Sequence, residues 1–169
     1  MADETTVAVA LGSNLGDRLA NLRAALAEIE SRGLLHDARA SDAYETEPER
    51  AGDGGAFLNA VVVGRCPMAA PELLRALLGI EASLGRLRRT DAQGGPRTID
   101  LDLILFGDAI VDAHGIVVPH PRFHRRAFVL VPLVQVAPDM SEPRSGRPVH
   151  CLLADLGPVA LTRFGSLRK

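Results

Sequence analysis

Asp100 and Asp102 stand two residues apart in the apolar run Thr98-Ile99-Asp100-Leu101-Asp102-Leu103-Ile104-Leu105-Phe106. β-branched and apolar residues dominate it, and Gly-Pro and Gly-Asp punctuate its ends, so it reads as a buried strand. Side chains alternate along a strand. Ile99, Leu101, Leu103 and Leu105 are therefore expected on one face, and Asp100, Asp102, Ile104 and Phe106 on the other. The two carboxylates then lie roughly 6–7 Å apart along the chain. Two readings stand: a solvated strand face, or a pair that holds oxygen-ligated Mg²⁺. Aspartate is depleted in strands, and a half-buried carboxylate pair is costly unless neutralised, which favours the metal.

Arginine surrounds this pair. Arg97 directly precedes it, and Arg86, Arg88 and Arg89 lie upstream in a polar loop predicted to move. Downstream, His120, Arg122, Arg125 and Arg126 form a second basic cluster. His120 and His124 have the spacing of a helical metal pair, but the prolines around His120 oppose a helix and hence zinc. An anion-binding corner and a solvated charged turn are the readings left there. The arginine fork matches phosphate oxygens bidentately. The one lysine is Lys169, against 18 arginines, which excludes a P-loop lysine or an internal Schiff base. No Ser/His/Asp or Cys/His nucleophile assembly is evident. Phosphoryl-type transfer needs metal, cationic clamps and positioning instead.

The elements that must position these groups can be read in order. Thr6–Leu11 is a strand, and Gly12–Asp17 a turn with no dinucleotide-binding glycine pattern. Asp17 caps a helix over 18–31, with Leu19, Leu22, Leu26 and Ile29 at helical spacing. A second strand is expected over 38–46, and a third over 57–65. Asn59 interrupts the third, either as a local hydrogen-bonding exception or as a ligand reader. A helix follows from Pro71 at its first turn to Gly85. After the aspartate strand come a short strand near 109–111, an extended 117–122, a helix over 125–136 containing Pro132, a loop over 141–148, a short helix over 149–156 and a closing strand over 159–164. The order β-α-β-β-α-β is the ferredoxin-like signature: an α/β fold, mostly antiparallel, expected as one domain over residues 1–169.

Net charge is −2, so there is no global basic footprint for nucleic acid. No run is long and apolar enough for a transmembrane helix. The acidic start lacks a signal peptide's basic region, and Cys66 and Cys151 form no paired motif. A cytoplasmic protein with reduced thiols is the expectation.

Gly12-Ser13-Asn14-Leu15-Gly16, Tyr44-x-Thr46-x-Pro48, Phe57-Leu58-Asn59, Leu84-Gly85-Arg86, Gly95-Pro96-Arg97-Thr98-Ile99-Asp100-Leu101-Asp102, Val118-Pro119-His120-Pro121-Arg122 and Arg126-x-Phe128 occur in this order. Together they resemble the 6-hydroxymethyl-7,8-dihydropterin pyrophosphokinase family over nearly the whole chain. The resemblance implies a ferredoxin-like three-layer sandwich and pyrophosphate transfer from ATP to a pterin hydroxymethyl, releasing AMP. It implies that Asp100 and Asp102 hold two Mg²⁺ ions. Arg97, His120 and Arg126 would contact phosphate, and Arg86 and Arg88 belong to a mobile catalytic loop. Phe57 and Phe128 would sandwich the pterin, with Gly12, Thr46, Pro48 and Asn59 forming its pocket. Glu81 would lie near the nucleotide. ATP and the pterin are the implied partners, with no nucleic acid, membrane or obligate protein partner. Gly94 stands where some members carry an aromatic residue. Two rivals remain. A two-metal nucleotidyl transferase or cyclase has no need of Phe57, Asn59 and Phe128. An RNA-binding domain of RRM type needs stacked bases where the carboxylates stand.

Overall fold

The computed structural model of the chain describes residues 4–49, 52, 54–85, 95–113 and 115–168. The chain forms β1 (Thr5–Ser13), α1 (Arg18–Ser31), β2 (His36–Ala40), β3 (Asp42–Thr46), β4 (Phe57–Cys66), α2 (Ala70–Ser83) and β5 (Asp100–Phe106). After these come β6 (Val111–Ala113), β7 (Ile116–Val118), a 3₁₀ turn (Phe123–Arg125), α3 (Ala127–Val136), β8 (Ser141–Glu142), β9 (Arg147–Pro148), α4 (Val149–Asp155) and β10 (Thr162–Ser166). The main sheet runs β10-β3-β4-β1-β5, with β2 also paired to β4, and its pairings are antiparallel. This is the ferredoxin-like order, extended by β10.

Both faces of the sheet are covered. Leu22, Ala25, Leu26 and Ile29 of α1, with Leu73, Leu77 and Ile80 of α2, pack on Val7, Val9, Leu11, Leu58, Ala60 and Val62. On the other face Val129, Leu130 and Leu133 of α3, with Phe123 and α4's Val149 and Leu152, cover Ala8, Val61, Val63, Ile104 and Leu105. The sandwich therefore has three layers, helices–sheet–helices, as the motif order implies. Helix α1 has the expected bounds, with the Asp17 carboxylate accepting from Ala20 N at 3.0 Å.

Several expectations need correction. The strand expected over 38–46 breaks at Ser41. The buried Ser41 hydroxyl accepts from Val61 N at 2.9 Å, so a side chain replaces one rung of the ladder. The aspartate strand does not alternate through to its end. Ala8 pairs with Leu105 but Val9 with Leu103, so Ile104 is an extra residue, a β-bulge. Downstream of it the faces exchange: Ile104 and Leu105 both join the second core, and Phe106 packs on the first. Residues 141–148 form the β8–β9 hairpin instead of an open loop. The short strand expected near 109–111 lies at 111–113, and the closing strand at 162–166. Pro132 is accommodated inside a single helix, α3.

Candidate functional site

Strand register assembles the site. Gly12 pairs with Asn59 on β4 and with Asp100 on β5. One pleat below, Ala10 pairs with Val61 and Asp102. Tyr44 lies opposite Asn59, and Thr46 opposite Phe57. Cross-strand partners share a face, and Val61 belongs to the second core. Thr46, Phe57, Asn59, Gly12, Asp100 and Asp102 therefore lie together on the α3 side of the sheet. Helix α3 is anchored there through Gln135, which accepts from Asp42 N and the Tyr44 hydroxyl and donates to Asp42.

At one end of this row stand apolar and polar groups suited to a flat heterocycle. Asn59 is buried, and its Nδ2 donates to Thr46 Oγ1 at 2.8 Å. That bond orients the amide, leaving Oδ1 toward Gly12. A Cβ at Gly12 would lie 3.3 Å from Asn59 Oδ1 and 3.8 Å from Phe57 Cδ1. The missing side chain keeps the space beside both groups open. Phe57 is half-buried, as is Pro48 in the segment that follows β3.

At the other end stand the charges. Arg97 Nη1 donates to Asp100 Oδ2 at 2.7 Å. Asp102 follows on the same face. Among the described residues no group of three or more His, Cys, Asp or Glu is gathered around one point. A carboxylate pair still fits Mg²⁺, a hard cation held by one or two carboxylates while water and phosphate oxygens fill its other positions. The donor set does not suit zinc, which prefers Cys and His.

His120 is pinned beside this strand: its N–H donates to Ile104 O, the bulge carbonyl, at 2.9 Å. Its Nδ1 accepts from Arg122 N at 3.2 Å. Burial pushes its pKa down to about 4, and the positive charges of Arg126 and Arg122 add to this, while Asp100 acts weakly in the opposite sense. The ring is therefore neutral near pH 7, with its proton on Nε2, and can donate one hydrogen bond. Arg126 has a side chain only 12% exposed; its Nη2 donates to Glu49 Oε2 at 2.9 Å. Its guanidinium carbon lies 5.3 Å from the ring centre of Phe128, in the first turn of α3.

Of the residues singled out in sequence, these six and the charged group beside them come together on one side of the sheet. Glu81 does not join them. It is buried on α2, on the opposite face, with Oε1 accepting from Leu101 N at 2.7 Å. It holds the backbone between the two aspartates. Arg86 and Arg88 lie outside the described residues. Cys66 and Cys151 are free thiols, and no helix among the described residues is long and apolar enough to cross a membrane. Sequence reasoning missed Asn14 and Glu49. Asn14 carried a signal, a polar side chain at a strand end that can bond backbone; Glu49 carried none, being 77 positions from Arg126.

Residues 8–138 match the family described as 7,8-dihydro-6-hydroxymethylpterin-pyrophosphokinase (HPPK). The chain is 38% identical over 159 residues to the 2-amino-4-hydroxy-6-hydroxymethyldihydropteridine pyrophosphokinase of Synechocystis sp., covering 90% of this chain and 77% of the relative. The enzyme of the same name from Pseudomonas aeruginosa is 40% identical over 148 residues, covering 88% of this chain and 90% of the relative. Among solved structures, Plasmodium falciparum HPPK-DHPS with pteroate aligns at TM-score 0.71 and 14% identity, over 90% of this chain. This chain spans 42% of that longer protein, and the likeness concerns the fold.

Proposed function

We propose how this site works from the premise that the chain belongs to the 7,8-dihydro-6-hydroxymethylpterin-pyrophosphokinase family. Its reaction is transfer of pyrophosphate from ATP to 6-hydroxymethyl-7,8-dihydropterin in folate biosynthesis. Pyrophosphate transfer of this kind asks little covalent chemistry of the protein, so the chain's task is positioning and charge compensation.

In this reading Asp100 and Asp102 hold two Mg²⁺ ions, which when bound offset the negative charge of the triphosphate. Arg97 and Arg126 clamp phosphate oxygens, and the neutral His120 donates Nε2–H to another. Phe57 and Phe128 stack on the pterin, each aromatic pair contributing about 0.5–1.5 kcal/mol beyond area burial. Asn59 Oδ1 accepts from the pterin's polar edge, with Thr46 fixing the amide and Pro48 walling the pocket. Gly12 leaves the gap through which the hydroxymethyl oxygen meets the phosphate. Arg86 and Arg88, carried over from the resemblance, act late, on the charge of the transition state. A cytoplasmic setting belongs to the reading, supported by the two free thiols.

One observation carries it. Asn59, Gly12 and Asp100 form a single row across three adjacent strands. A reader of flat polar rings and a metal-binding carboxylate thus stand two strand spacings apart, about 10 Å, with only a glycine between them. The test is incubation with Mg-ATP and 6-hydroxymethyl-7,8-dihydropterin, with nucleotides resolved by chromatography. AMP should form in step with pterin diphosphate, and Asp102→Asn should slow this at least ~100-fold in a folded protein. Release of ADP or free pyrophosphate, or full turnover in Asp102→Asn, would overturn the assignment.

A further inference from the structure

Asn14, buried just past the end of β1, joins two segments that approach the site from opposite sides. Its backbone N donates to Arg97 O at 3.1 Å, and its Oδ1 accepts from Arg97 N at 2.6 Å. Its Nδ2 donates to Gly55 O at 3.3 Å. The first segment carries Arg97 toward the phosphates. The second ends, two residues after Gly55, at Phe57 beside the pterin pocket. They also touch directly. Gly54 has φ +95°, and a Cβ there would lie 3.0 Å from Pro96 Cγ and 3.2 Å from Asn14 Nδ2.

A residue that only caps the end of β1 would satisfy backbone on one neighbour. Asn14 satisfies both segments with the two ends of one amide, which cannot turn without losing one bond or the other. Gly54 and Gly55 are exposed and have no side chains to hold their segment down. Among the described residues Asn14 and Pro96 hold these two glycines, while Arg18 Nη1 holds the next carbonyl, Ala56 O, at 2.8 Å. A shift of the Arg97 backbone toward bound phosphate passes through the amide to Gly55 and on to Phe57.

We propose that Asn14 is a positioning residue that couples the nucleotide and pterin subsites, so that filling one raises affinity for the other. This rests on the assignment of Arg97 and Phe57 given above. A link of one or two hydrogen bonds sets the coupling at roughly 5–10-fold.

The test is calorimetry with Mg²⁺ and α,β-methylene-ATP, and with 6-hydroxymethylpterin, each titrated alone and in the presence of the other. Wild type should bind the pterin roughly 5–10-fold more tightly once nucleotide is bound. Asn14→Asp keeps the acceptor for Arg97 N and loses the donor to Gly55. It should bind nucleotide within about twofold of wild type while the coupling factor falls to about 1. Gly54→Ala should do the same from the other side, because its methyl group pushes the segment off Pro96 and Asn14. The double variant should be no worse than either single one. Thermal melts check folding, and if Asn14→Asp is unfolded, Gly54→Ala decides. Coupling that persists in the folded variants, or wild type that binds both ligands independently, overturns the proposal. Wild type that binds neither ligand refutes the functional assignment itself, before any variant is compared, and the coupling falls with it.

Discussion

Arg126 is almost wholly buried, and a charge in that position needs an anion beside it. Among the described residues Glu49 provides one, from an exposed segment that follows β3. A phosphate would use the same fork, and would use it bidentately. On the proposed reading Glu49 stands where a phosphate would bind, and nucleotide would displace it. Glu49→Gln should tighten α,β-methylene-ATP binding by roughly 3–10-fold, measured by calorimetry, with a smaller gain at high salt. It should also lower stability slightly, by about 0.5–1 kcal/mol, because the Glu49 half of the pair is exposed to solvent. Weaker nucleotide binding in this variant would instead make Glu49 the residue that aims Arg126. The arginine was legible in the sequence as part of a basic cluster. Its partner was not, because nothing local marks a contact made 77 positions away.

β5 closes one edge of the sheet, so its outward N–H and C=O groups need partners other than a strand. Glu81 takes Leu101 N, and the N–H of His120 takes Ile104 O. The first contact fixes the backbone between the two aspartates; the second sits at the bulge that ends their face. Glu81→Ala should leave Leu101 N buried without this acceptor and cost about 1–3 kcal/mol in urea unfolding. Glu81→Gln keeps an acceptor oxygen and should recover most of that stability, with turnover near wild type. A Gln variant that is stable but binds nucleotide poorly would show that the Glu81 charge acts on the nucleotide itself. Periodicity located the strand and both aspartates. It could not find the bulge, because inserting one residue depends on how β1 pairs with β5, and the run Leu103-Ile104-Leu105-Phe106 is apolar throughout, so nothing in it marks the change of face.

Across the whole molecule the site lies where the sheet meets the α3 layer, and His120 is the group through which that packing is felt in solution. Its folded pKa is about 4, well below the ordinary histidine value. Between about pH 6.5 and 4 the unfolded chain takes up a proton that the folded chain refuses. Falling pH through that window therefore favours unfolding, and this contribution is flat above it and below it. His120→Gln removes the effect. Its urea midpoint should lie below wild type at pH 7, and the gap should narrow by pH 4.5. Parallel midpoints at the two pH values would mean that His120 titrates as an ordinary exposed histidine. Near neutral pH its ring should show no protonation step in an NMR titration.

The sequence by itself determined the β-α-β-β-α-β order of the core, the bounds of α1, the carboxylate pair and the cluster of arginines and histidine that faces it. These follow from short-range physics: apolar spacing, Asp17 as a cap, prolines that oppose a helix at His120, and residue types suited to phosphate; the extended run expected to reach Arg122 instead turns at Pro121 and Arg122. The likeness to the pyrophosphokinase family added proposed roles for Phe57 and Phe128, which no local rule assigns, and favoured the ligand-reading alternative at Asn59. Only the tertiary structure decided which strands are neighbours, and so put Asn59, Gly12 and Asp100 in one row. It alone set Glu81 against Leu101 N of β5, broke the second strand at Ser41, and brought Glu49 to Arg126 and Asn14 to both Arg97 and Gly55. Each of those depends on burying apolar faces on both sides of one sheet. That packing fixes register and brings distant backbone together, and it leaves no trace in any short window of the chain.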